Sequence, residues 1–318
     1  MLPKTLHNLT PDDVSEIAAR ISEPFLAAAR LMKIDNDLVQ DLTDIYIPLA
    51  ASLKDKTERH DGPLVVGVNG AQGAGKSTLC KLLQLVLEQG FGQRVAGLSI
   101  DDLYLTHAER KGLAQQIHPL LATRGVPGTH DVDLGIKLLE ELGKLKAGQN
   151  LKIPVFDKAI DDRLRQEEWR QVTGPIDMIL FEGWCVGALP QPEEALVEPV
   201  NSLEREKDSD GIWRRYVNQQ LQEGYFRLFS ELDYLIMLKV PGMESVMNWR
   251  SLQERKLASV SGQKGNHQIM DTAVLKRFIM HYERLTRAML DEMPNRAGLV
   301  LELNVDHQID GVFINTHS

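Results

Sequence analysis

The eight residues Gly70-Ala71-Gln72-Gly73-Ala74-Gly75-Lys76-Ser77 have the spacing G-x-x-x-x-G-K-S, and that spacing has a chemical meaning. Glycines let consecutive backbone N–H groups curl around an anion, and the helix that follows adds the partial positive charge of its first turn. A lysine at the seventh position neutralises the outer phosphates of a nucleoside triphosphate, and a hydroxyl at the eighth holds Mg²⁺. Gly70 through Thr78 are therefore expected to cradle a nucleoside triphosphate, with Lys76 on the transferring phosphoryl group and Ser77 on the metal. The context agrees, because the apolar run Leu64–Asn69 leads in as a strand and Ser77–Leu87 continues as a helix.

Acids recur where such a cradle needs them. Ser99-Ile100-Asp101-Asp102-Leu103-Tyr104 closes a second β-rich run, Val95–Ile100. The carboxyl ends of strands are where open α/β sheets bind ligands. A carboxylate there can take the proton of an attacking hydroxyl or order a metal through water. Successive strand residues face opposite ways, so only one of Asp101 and Asp102 is expected to aim at the phosphates. The competing reading makes both of them helix caps or solvated acids. A third run, Met178–Phe181, ends in Glu182-Gly183-Trp184, which puts Glu182 in the place of a Mg²⁺-ordering carboxylate. Trp184 either walls a substrate pocket or packs in the core.

Elements of one kind must position these residues. Leu64–Asn69, Val95–Ile100, Met178–Phe181, Tyr234–Leu238 and Leu299–Leu303 are short apolar runs separated by helical patterns. That alternation predicts a mainly parallel sheet covered on both faces, a three-layer α/β/α fold. Residues 1–60 contain no such run and are expected to form a helical extension, with the main domain spanning 61–318. Thr10-Pro11-Asp12-Asp13 reads as a helix start, and Ile17, Ile21 and Leu26 as its stripe. Leu38, Leu42, Ile45 and Leu49 mark a second helix, and Lys54–Gly62 a polar connector. Later, Val274, Phe278, Tyr282 and Leu285 form a stripe behind an Asp271 cap. Glu204–Gly211 and Ser259–Asn266 read as mobile polar stretches.

Composition sets outer limits. The chain has 318 residues, 43% hydrophobic and 25% charged, which suits an ordinary globular protein. A formal net charge of −9 argues against a nucleic-acid partner. Cys80 and Cys185 are too few for a disulfide framework and are expected to be buried hydrophobes. No apolar run approaches a membrane span, and the first twenty residues lack a signal-peptide core, so a cytoplasmic location is expected. The sequence does not fix the oligomeric state.

Five motifs in order, Gly70–Ser77, Ser99–Tyr104, Arg124–Asp131, Pro154–Lys158 and Phe181–Trp184, resemble the phosphoribulokinase/uridine kinase/pantothenate kinase superfamily. The Arg124-Gly125-Val126-Pro127-Gly128-Thr129-His130-Asp131 and Phe181-Glu182-Gly183-Trp184 stretches resemble its glycerate-kinase-like branch, as do Trp249-Arg250 and Gln253-Glu254. The resemblance implies an ATP- and Mg²⁺-dependent kinase of a small metabolite, with D-glycerate as the expected acceptor. It selects Asp101 over Asp102 as catalytic base or metal organiser. It places Tyr104, Arg124, His130, Asp157 and Arg163 around the acceptor. It also implies a lid around 241–270 that brings Arg250 and Arg255 onto the transferring group. Val126, Pro127 and Thr129 depart from the plant-type pattern within the expected acceptor pocket.

The residues themselves leave room for rivals. A small acid needs a cation, for which the planar fork of Arg124, Arg163 or Arg250 is suited. His130 can equally open the helical run Leu134, Leu138, Leu142. Other acceptors in view are a nucleoside, pantothenate or a sugar phosphate. A regulatory NTPase would want a guanine-specificity motif, and the only nearby D-x-x-G, Asp208–Gly211, falls in a charged segment away from any strand end.

Overall fold

A computed structural model describes residues 2, 6–34, 38–261 and 272–315 and, for side chains, excludes 253–261 and 272. The chain opens with helix α1 (Pro11–Leu31), whose Thr10 side chain accepts from the Asp13 amide while Asp13 reaches back to the Thr10 amide. This reciprocal cap satisfies two N–H groups that the helix cannot. A short helix α2 (Val39–Asp41) then runs through a wider turn, Leu42–Tyr46, into α3 (Ile47–Thr57). Pro48 lacks the N–H that the Asp44 carbonyl would otherwise accept. That carbonyl takes the Leu2 amide instead, at 2.8 Å. Helix α3 carries on through Lys54–Thr57, so the connector starts later than its polarity suggests.

Strand β1 (Leu64–Gly70) leads into helix α4 (Lys76–Leu85), and β2 (Val95–Ser99) follows. Helices α5 (His107–Gln116) and α6 (Val132–Lys144) precede two small hairpins. In these, β3 (Asn150–Ile153) pairs with β6 (Arg170–Thr173), and β4 (Phe156–Asp157) with β5 (Asp162–Arg163). The chain then returns as β7 (Met178–Gly183). Helices α7 (Ser202–Lys207), α8 (Ile212–Gln222) and α9 (Gly224–Phe229) connect it to β8 (Tyr234–Lys239). Helices α10 (Met243–Ser261) and α11 (Thr272–Glu292) lead to β9 (Leu299–Leu303) and β10 (Ile309–Ile314).

The main sheet has the order β10-β9-β8-β1-β7-β2. Every pairing is parallel except that of β10, which runs antiparallel along the edge. Alternate residues face opposite layers. Val66, Val68, Met178 and Leu180 point into a core shared with α1, α3 and α4. Ile179, Phe181, Met237 and Val300 point into a second core with α6, α9 and α11. The predicted three-layer α/β/α arrangement is therefore the observed one, and the N-terminal helices help to build one of its layers. Cys80 and Cys185 are buried and free.

Two further expectations fail. On α11 the buried stripe is Leu275, Ile279, Tyr282, Leu285 and Met289, while Val274 is 54% exposed. Period alone could not choose between the adjacent apolar residues Val274 and Leu275. The expected Asp271 cap lies outside the described residues. The second failure is Glu204–Gly211, which is fixed in place. Asn201 caps α7 by accepting the Glu204 amide at 3.0 Å. Glu204 is fully buried and takes both Nε (2.8 Å) and Nη2 (2.6 Å) of Arg284. Asp208 is buried as well, accepting the Trp213 amide at 2.7 Å and Arg214 at 3.0 Å. Of Ser259–Asn266, residues 259–261 end α10 and the rest lie outside the described residues. Among the described residues no helix is long and apolar enough to cross a membrane.

Candidate active site

The register of the central strands puts the chemistry on one sheet edge. Val68 pairs with both Glu182 and Ile236, and Ser99 with Glu182. Gly70, Glu182 and the Asp101 turn therefore emerge side by side. The loop Gly70–Ser77 makes its bend with Gly73 at φ 81° and Gly75 at φ 89°, values that residues with a Cβ rarely adopt. Helix α4 begins at Lys76, so its unpaired amides face the loop. Lys76 Nζ donates to the Ala71 carbonyl at 3.1 Å. The Ser77 hydroxyl donates to Glu182 Oε1 at 2.8 Å. The side-chain Nε2 and Oε1 of Gln72 are buried in the loop without a hydrogen-bond partner.

A buried Asn69 ties the cradle to the next turn, donating to the carbonyls of Val186 (2.8 Å) and Trp184 (3.3 Å). Trp184 is packing: 3% exposed, edge-on to Tyr282, its indole N–H donating to the Gly125 carbonyl at 2.8 Å. Gly125 sits at φ 140°, and a Cβ there would lie 2.2 Å from the Tyr282 hydroxyl. Thr129 closes this turn, accepting the Gly125 amide at 3.1 Å and donating to the Val126 carbonyl at 2.7 Å. Two of the departures from the plant-type pattern thus shape backbone, with both side chains buried.

Geometry separates the two adjacent acids. Asp101 accepts the Tyr104 hydroxyl at 3.0 Å and the Lys158 ammonium at 2.5 Å. Burial works against its charge, but Lys158, Lys76 and the Tyr104 hydroxyl hold the carboxyl below the ordinary aspartate value. It is ionised at neutral pH. Asp102 turns away to accept the Phe156 amide at 3.2 Å, which anchors hairpin β4–β5, and burial pushes its carboxyl up.

Tyr104 is stacked on His130 with ring centroids 4.5 Å apart. Tyr225 Oη accepts the Gly128 amide at 3.0 Å and lies 2.5 Å from His130 Nδ1. Burial lowers the His130 pKa to about 3 against the pull of Asp101, so the imidazole is neutral.

The other predicted residues divide. Arg124 pairs with Asp161, which also holds Arg110 at 2.9 Å and His107 at 3.2 Å. Arg163 bonds Asp131 at 3.2 Å and the Tyr104 carbonyl at 2.9 Å, so its fork is committed within the protein. Asp157 caps its own turn, accepting the Ala159 amide at 2.8 Å. Helix α10 lays the backbone of Trp249 and Arg250 against Gly73, within 3.6 Å of a Cβ built there. Trp249 stacks on His307 at 3.8 Å, and His307 Nε2 reaches the Gly73 carbonyl at 2.9 Å. The β9–β10 turn therefore braces the cradle. The side chains of Gln253, Glu254 and Arg255 and the whole of lid residues 262–270 lie outside what the structure describes.

Lys158 and His307 escaped sequence reasoning. Lys158 stood inside a quoted motif without a role, and nothing in sequence spacing links His307 to Gly73.

No protein-family model matches the chain. It is 29% identical over 289 residues to the chloroplastic D-glycerate 3-kinase of Arabidopsis thaliana, covering 85% of this chain and 60% of the plant protein's length. It is 30% identical over 249 residues to an uncharacterized kinase of Schizosaccharomyces pombe, covering 75% of this chain and 86% of that one. The solved D-glycerate 3-kinase from Cryptococcus neoformans var. grubii superimposes with a TM-score of 0.72 at 28% identity, over 86% of this chain and 99% of that one. Cradle, strand-end acids and relatives together place the chain in the glycerate-kinase-like family of P-loop small-molecule kinases, to which it belongs.

Proposed function

We propose that the protein transfers the γ-phosphoryl group of ATP to a hydroxyl of D-glycerate, giving 3-phosphoglycerate. The observation that carries this reading is an ionised Asp101 beside the Lys76 cradle on one sheet edge. The two D-glycerate 3-kinase relatives support the choice of acceptor. In the reaction the acceptor oxygen attacks the γ-phosphorus in line. An O–P bond forms, the bond to the β,γ-bridging oxygen breaks with its electron pair leaving on ADP, and the hydroxyl proton passes to Asp101. Lys76 and the loop amides hold the charge that spreads over the transferring group. Arg250 adds to it from α10.

The residues at the cradle fit Mg²⁺. Ser77 and Glu182 offer hard oxygen donors 2.8 Å apart. Among the described residues no group of three or more His, Cys, Asp or Glu forms a cage. Mg²⁺ prefers such a partial protein shell, completed by water and substrate phosphates. When bound it neutralises the β- and γ-phosphate oxygens. Glu182→Gln should raise the free Mg²⁺ needed for half-maximal turnover by about tenfold. An unchanged Mg²⁺ titration would remove Glu182 from the metal site.

The test of the whole reading is coupled ADP release with Mg-ATP and D-glycerate, L-glycerate, uridine, pantothenate or ribulose 5-phosphate. Stimulation by D-glycerate alone is expected. Stimulation by another acceptor instead would keep the kinase and discard the substrate. Hydrolysis indifferent to every acceptor would favour a regulatory NTPase.

A further inference from the structure

We infer that Lys158 is the ligand of the acceptor's carboxylate, held on Asp101 until the acceptor arrives. The inference rests on the reading of Asp101 as the group that takes the acceptor's proton. It starts from a conflict between Lys158 and Asp101. Lys158 Nζ lies 2.5 Å from Asp101 Oδ2. A carboxylate already engaged by an ammonium is a weaker acceptor for a hydroxyl proton, so the lysine must give way for chemistry to proceed.

An acid acceptor meets a second conflict, because its own carboxylate enters beside an ionised Asp101 and two such charges repel. One movement resolves both. If the ammonium passes from Asp101 to the incoming carboxylate, it screens the repulsion and restores Asp101 as a base.

The surroundings favour Lys158 for this exchange over the arginines of the same region. Arg163 is held by Asp131 and the Tyr104 carbonyl, and its side chain is 14% exposed. Arg110 is 1% exposed and bonded to Asp161 and three backbone carbonyls. Arg124 is paired with the same Asp161. Lys158, by contrast, stands at the turn of hairpin β4–β5 with its side chain 59% exposed. Its long stem has three rotatable N–H donors and can swing without disturbing the backbone. The hairpin base stays fixed meanwhile, because Asp102 holds the Phe156 amide.

A neutral acceptor offers nothing to take over the ammonium, so the arrangement selects for acids. The test compares kcat/KM for matched acid and amide acceptors, D-glycerate against glyceramide and pantothenate against pantothenamide, in the unsubstituted protein, Lys158→Met and Lys158→Arg. The expected result is a clear preference for glycerate over glyceramide that falls about tenfold or more in Lys158→Met. It should be largely kept in Lys158→Arg, with the KM for ATP and the melting temperature unmoved in both. A glycerate preference that survives intact in Lys158→Met would overturn the inference and leave the proposed function standing. Turnover of pantothenate but not glycerate, with a preference that collapses in Lys158→Met, would discard glycerate and keep Lys158. Best turnover of uridine would remove both.

Discussion

Lys76→Ala should lower turnover by roughly three orders of magnitude or more, because the loop loses the lysine proposed to neutralise the transferring group. Stability should hardly change. The ammonium donates to the Ala71 carbonyl of the same turn, and that carbonyl can be taken over by water. ADP release at saturating Mg-ATP and acceptor, set beside a thermal melt, measures both. Near-normal turnover in a folded variant would refute the assignment of the site. Lys76→Arg should not restore activity, since a planar guanidinium cannot occupy a space shaped for a compact ammonium.

The largest loss of stability is expected far from the cradle, at Glu204 and Arg284. Glu204 is fully buried and receives both arms of the Arg284 fork, whose Nη1 and Nη2 also donate to the carbonyls of Ala195 (2.5 Å) and Glu198 (2.6 Å). Glu204→Ala leaves a buried guanidinium without its counter-ion, a change that costs about 3–5 kcal/mol. The melting temperature should fall by roughly 6–15 °C. Replacing both partners by apolar residues should cost much less, because no uncompensated charge remains. A fall of under about 2 °C in Glu204→Ala would mean that the pair is open to water.

The mobile reading of Glu204–Gly211 and the phosphate-loop reading of Gly70–Ser77 rest on different kinds of signal. The cradle's chemistry is local: glycines, lysine and serine act together within eight residues. The strand runs were legible for the same kind of reason, since each fills both faces of the sheet with apolar side chains and needs no partner to be identified. Glu204 belongs to a run of charges whose composition suggests solvent, and the arginine that buries it lies on α11. Edge strand β10 was missed because Ile309–Ile314 is only half buried and carries an aspartate. Hairpin β4–β5 was missed because strands of two residues show no period.

The site was legible to the same depth. Strand ends mark Asp101, Asp102, Glu182 and the cradle, and it is the resemblance that singles out Asp101 from its neighbour. Which arginines remain available to a ligand depends on backbone carbonyls and carboxylates brought in from other elements. Asp131 and Tyr104 claim Arg163, and Asp161 claims Arg124, by contacts between residues far apart in the chain.

The strand order also governs when the cradle can come into being. Strand β1 pairs on one side with β7, Leu64 against Met178, and on the other with β8, Val66 against Tyr234. Neither neighbour exists when a ribosome has just finished residues 70–77. At typical elongation rates the segment ending β8 follows roughly 10–30 s later. Such long-range pairing is slow to form, because loop closure must precede any contact that rewards it. For that interval the phosphate loop is a glycine-rich stretch of unfolded chain with no strand to hold its amides in register. ATP therefore cannot guide the early nascent chain, and nucleotide affinity is acquired only when the centre of the sheet closes.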